Sequence, residues 1–85
     1  MAYTLINTGK DLGLARSGDI VHCTHDDRCY LVQGWVDSAA VLTALDLDLL
    51  CESYLEMLLN DLDCDLDVAP EYFYLFEVLS VSWEI

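Results

Sequence analysis

Asp19-Ile20-Val21-His22-Cys23-Thr24-His25-Asp26-Asp27-Arg28-Cys29-Tyr30-Leu31-Val32-Gln33-Gly34-Trp35-Val36 is the stretch that decides the fold. Two β-branched and aromatic runs, residues 19–23 and 29–36, flank a polar segment, and that pattern predicts a β-hairpin. Upstream, residues 3–7 read as a short strand, and residues 9–17 as a turn or a single helical turn broken by Gly13. Downstream, Asp37 and Ser38 supply N-cap oxygens before Ala39-Ala40-Val41-Leu42-Thr43-Ala44-Leu45, so a helix is predicted there. A second helix is predicted over residues 47–60, because Leu47, Leu50, Cys51, Tyr54, Leu55, Leu58 and Leu59 repeat at the spacing of one buried helical face. Asp46 to Asp48 either breaks that helical run or continues it.

Residues 61–69 read as an acidic loop, and Pro70 restricts what precedes it to extended or turn conformations. Leu79, Val81, Trp83 and Ile85 alternate with Ser80, Ser82 and Glu84, which predicts a strand with one face on a core. Residues 72–76 fit either the start of that strand or a short helix with Pro70 at its first position. The expected architecture is α+β: a small antiparallel sheet of about four strands, packed on one side by one or two helices, with residues 1–85 as a single domain.

Composition bounds the function. The chain has 85 residues, 16 acidic against 3 basic, and a formal net charge of -13. A chain of this length buries roughly 60% of its unfolded surface, enough for one small core but not for a deep cleft between two domains. Disorder is excluded by 55% hydrophobic residues that include two Trp and five Tyr. The negative charge argues against direct contact with nucleic acid or anionic lipid, since phosphates are met mainly by Lys and Arg. The first residues carry no leader pattern, and no apolar run approaches the ~20 residues of a membrane helix, so a cytoplasmic location is expected. In that compartment Cys23, Cys29, Cys51 and Cys64 are expected as thiols.

Charge is also segregated along the chain. Lys10, Arg16 and Arg28 all lie in the first 28 residues, and residues 29–85 hold twelve acids with no Lys or Arg. Ordinary surfaces mix both signs, so a one-signed stretch points to a field that is used. On a continuous helix Asp48, Glu52 and Glu56 would form one stripe at i, i+4 and i+8. Asp61, Asp63, Asp65 and Asp67 would share one side of an extended segment, ~7 Å apart. Together with Asp46 these rows make a polyanion whose spacing suits a groove built for phosphates, one per ~3.4 Å on each DNA strand.

Other chemistries fit the residues less well. The acids at 61, 63, 65 and 67 are spaced like a calcium loop, but Leu66 stands where such a loop needs Gly, and Tyr72 where it needs a bidentate Glu. His22, Cys23, His25 and Cys29 are zinc-ligand types at the wrong spacing, with Cys23 and Cys29 six residues apart and His22 and Cys23 on opposite strand faces. Neither a metal nor a cofactor is therefore expected. Cys23 with His22 or His25 is the one local nucleophile–base pairing, and an acidic field disfavours a thiolate, so no catalytic residue and no enzyme activity are expected. Tyr72, Phe73, Tyr74, Leu75 and Phe76 are five consecutive large apolar residues that commit both faces of one segment, which predicts either full coverage within the fold or a partner or second copy, with homodimerisation as one outcome.

In size, α+β reading and unpaired acids from Asp37 to Glu84, the chain resembles the small acidic inhibitors encoded by phages and mobile elements, the DNA-mimic and anti-CRISPR proteins. The resemblance is one of kind and carries no residue motif. It implies a non-enzymatic inhibitor, acting in the cytoplasm of an infected bacterial cell, that occupies the positively charged nucleic-acid channel of a host defence complex such as a CRISPR surveillance complex. The contact is expected at Asp46, Asp48, Glu52, Glu56, Asp61, Asp63, Asp65 and Asp67. The rival expectation is a small structural or adaptor protein that works through residues 72–76.

Overall fold

The computed structural model describes residues 3–60 and 64–84. Among the described residues six strands form one antiparallel sheet: β1 (Tyr3–Asp11), β2 (Ile20–Cys23), β3 (Arg28–Val36), β4 (Ala39–Ala44), β5 (Leu66–Val68) and β6 (Phe76–Trp83). Their order across the sheet is β1-β6-β2-β3-β4-β5, so the last strand in sequence lies between the first two. The α+β expectation holds, with six strands in place of about four. Both the predicted hairpin and the predicted C-terminal strand are present, the hairpin pairing Ile20 with Leu31 and His22 with Cys29.

The predicted helix at residues 39–45 is instead β4. Asp37 and Ser38 do not cap a helix; they take φ values of 50° and 69°, the left-handed pair that a two-residue hairpin turn requires. Helix propensity in the Ala-rich segment is overridden by burial on both sides of the sheet. Ala40 and Leu42 are buried in one core, Val41 and Thr43 on the opposite face, so the strand shows no alternation to betray it.

The second predicted helix is shortened. Asp46 accepts the Asp48 N–H and starts a 3-10 turn at Leu47–Leu49, extended backbone at Leu50 ends that turn, and α1 (Glu52–Asn60) begins afresh. Cys51 caps α1, its sulfur accepting the Tyr54 N–H at 3.4 Å. Of the two readings for residues 72–76, the helical one is right: Pro70–Leu75 is a 3-10 turn with Pro in its first positions, followed directly by β6.

Both faces of the sheet are covered, not one. On the first face Val21, Cys23, Tyr30, Val32, Leu42, Phe76 and Val78 form a core closed by Leu12, Phe73 and Leu75 from the Leu12–Leu14 and Pro70–Leu75 turns. On the second face Ile20, Cys29 and Leu50 are buried, with Leu55 of α1 and the half-buried Tyr3, Leu5, Leu79, Val81 and Trp83 around them. Gln33, at an irregularity in the β3–β4 register, donates through Nε2 to Thr43 Oγ1 and to the Leu58 carbonyl, and so fastens α1 to the sheet. Among the described residues no helix is long and apolar enough to cross a membrane.

Candidate functional site

The site is the outer surface of the second face. Six of the eight acids expected to form the contact are described, and all six, Asp46, Asp48, Glu52, Glu56, Asp65 and Asp67, are exposed. Asp61 and Asp63 lie outside the described residues. The expected stripe through Asp48, Glu52 and Glu56 does not form as one helical row, because Asp48 sits in the 3-10 turn before α1. Glu52 and Glu56 do form a pair one helical turn apart, ~6 Å along the axis. Glu52 in the first turn also faces favourable partial charge from the helix N-terminus.

Two of the acids have local duties. One Asp46 oxygen accepts the Asp48 N–H at 3.0 Å, and Asp65 Oδ2 accepts the Ala44 N–H at 2.8 Å. Asp67 pairs with Val41 in the ladder, and a cross-strand pair shares a face, so Asp67 stands on the α1 side.

Strand register brings in three residues that the sequence did not single out for the contact. His22 pairs with both Cys29 and Glu77 and therefore faces the α1 side. Its Nε2 lies 2.7 Å from Asp27 Oδ1, and its Nδ1 lies 4.0 Å from Glu77 Oε2. The Asp27 side chain is 93% exposed. A shallow groove of about 530 Å³ separates the β2–β3 turn from the Leu47–Leu49 turn, and Asp27, Arg28, Asp46, Asp48 and Tyr54 line it. Asp27 and Glu77 thus extend the acidic surface across β2 and β6. Their pairing is a long-range register, and no local signal could have marked it.

The opposite face carries Lys10 and Arg16, and Arg28 stands at the boundary, lining the acidic groove as well. Arg28 pairs with Cys23, a residue of the first core, and its guanidinium lies 5.9 Å from the centre of the Tyr30 ring. Lys10 and Arg16 line a groove with Val78 of that same core. Acids occur there too: Asp19 accepts the Arg16 N–H, and Asp26 accepts the Tyr30 hydroxyl at 2.6 Å. The hydrogen bond from Tyr30 holds the Asp26 carboxyl below its ordinary range, while burial, then the Asp26 bond and charge, push Tyr30 up to about 12. Among the described residues no Lys or Arg forms an ion pair within 4.0 Å.

The zinc-type residues of the hairpin do not converge. Cys23 is buried in the first core and Cys29 in the second, on opposite sides of the sheet. Burial, and then the charge of Asp27, raise the Cys29 thiol, the reverse of what a thiolate ligand or nucleophile needs. Within residues 72–76, Phe73 turns inward against Trp35 at 5.6 Å and Phe76 is buried, while Tyr72 and Tyr74 point out, 53% and 73% exposed.

Comparison with protein-family models, with curated proteins and with solved structures gives no match.

Proposed function

We propose that the chain is a non-enzymatic inhibitor whose acidic face occupies a positively charged nucleic-acid-binding site, in the manner of a DNA-mimic or anti-CRISPR protein. One observation carries this reading: the α1 side of the sheet gathers exposed carboxylates in large excess over cations. Asp27, Asp46, Asp48, Glu52, Glu56, Asp67 and Glu77 belong to the α1 side, where Arg28 lines the same groove as Asp27, Asp46 and Asp48 and His22 pairs with Asp27, while Lys10 and Arg16 line a groove on the other. A face with so large an excess of one sign costs stability through self-repulsion, and a basic partner relieves that cost on binding. The partner class is a basic nucleic-acid-binding protein or complex, a CRISPR surveillance complex being one such.

The test is an affinity pull-down from cells carrying a defence system, washed at low and at moderate salt. Release by salt and displacement by duplex DNA are expected. Reversing Asp48, Glu52 and Glu56 together to Lys should weaken binding at least about a hundredfold and slow association, while Glu71→Lys on the other side should not. Outward-pointing Tyr72 and Tyr74 favour a second reading, an adaptor surface at Pro70–Leu75. A partner held at high salt and lost on Tyr72→Ala with Tyr74→Ala would select it, because apolar burial is not screened.

A further inference from the structure

The two edges of the sheet differ in a way the acidic face does not account for. β5 is three residues long, flanked or occupied by Asp65 and Asp67 and followed by Pro70, the features by which proteins blunt an edge against further pairing. β1, the other edge, runs nine residues and pairs among the strands only with β6. From Tyr3 to Gly9 it holds no charge and no proline, and Ile6 on it is 54% exposed. The neighbouring stretch of β6, Leu79 to Trp83, is uncharged as well. In a chain of net charge -13 this corner is the neutral one.

We propose that β1 is a dimer seam, where two copies pair antiparallel and continue the sheet from six strands to twelve. A second copy is the occupant that fits. An antiparallel strand pair is its own twofold complement, and a twofold axis normal to the sheet keeps faces together, so each residue meets one of the same parity. With the axis at Leu5 or at Ile6, all cross-strand pairs between residues 3 and 9 are uncharged. Across the acidic face two such chains would bring carboxylates against carboxylates. On the α1 side the seam also joins the half-buried row of Tyr3, Leu5, Val81 and Trp83 to its symmetry mate. This inference is independent of the acidic-face reading and predicts the opposite response to salt, since screening relieves repulsion between like copies.

Sedimentation of the full chain over a dilution series, at low and high salt, tests it. A monomer–dimer equilibrium that tightens with salt is expected. Ile6→Lys, which sets two like charges at the seam, should weaken the dimer at least about tenfold with an unchanged circular dichroism spectrum, and Asp67→Lys at the other edge should leave it intact. Should Ile6→Lys fail to fold, hydrogen exchange on the unaltered chain decides: amides of β1 should lose protection on dilution while those of β2 keep theirs. A monomer at every concentration, a dimer unmoved by a folded Ile6→Lys, or dilution-sensitive protection at residues 72–76 in place of β1 would overturn the proposal.

Discussion

Tyr30 and Asp26 show how much one side-chain pair can set. The phenol sits at the rim of the first core and donates to a carboxylate that solvent reaches, so each group's titration is tied to the other's. Tyr30→Phe should cost about 1 kcal/mol, the ordinary worth of such a bond. The pH dependence has a definite sign. Asp26 is depressed in the fold, so its contribution is present above its unfolded value near 3.8 and is lost as pH falls through the lowered folded value. Tyr30 is raised from 10.0 to about 12, so its contribution is present below 10 and is lost as pH rises towards 12. The stability gap between the parent chain and Tyr30→Phe should therefore form a plateau across neutral pH and close at both ends. Urea titrations at several pH values would check this, and a constant gap would refute it. At this scale the sequence was partly legible: carboxylates are solvent-seeking, so the six described acids are exposed as expected. What it hid was partnership, since Asp27 and Glu77 meet only through His22 in a ladder that joins residues 55 positions apart.

Among the elements, the lesson lies in β4. Residues 19–36 announced a hairpin because polar turn residues separated two β-branched runs, and the strand at Phe76–Trp83 announced itself by alternation. Ala39–Ala44 did neither, because both its faces are buried and Ala favours helix locally. The decisive signal was the left-handed Asp37-Ser38 pair, which composition does not reveal, since both residues are also good N-caps. That turn is open to improvement. Asp37→Asn with Ser38→Gly places residues that accept positive φ at both positions and should stabilise the fold by about 1 kcal/mol, read as a higher urea midpoint with unchanged slope. No gain would mean that the turn is not of the mirror-image hairpin type.

For the molecule as a whole, charge and topology set the behaviour. Seven carboxylates on one side of a sheet repel one another, with Arg28 in their groove too little to balance them, so the isolated protein should gain stability as salt is added. Raising the ionic strength from the millimolar to the half-molar range should add about 1 kcal/mol, or roughly 5 °C in Tm for a domain of this size. A flat response in thermal scans would show that the face is already neutralised. The fold class was legible from hydrophobic periodicity; the strand order was not, because pairing between β1 and β6 depends on no local pattern.

That strand order bears on how the chain comes off the ribosome. β6 follows the other five strands in sequence, yet it is the bridge between β1 and the β2–β3–β4–β5 unit, so β1 waits without its neighbour until β6 has been synthesised. Hairpin-like pieces can assemble early, but neither core can close, since Phe76 and Val78 belong to the first and Leu79 and Val81 line the second. A chain ending at Leu75 should remain unfolded by circular dichroism and be rapidly cleaved by protease, and folding should begin only once β6 has been made.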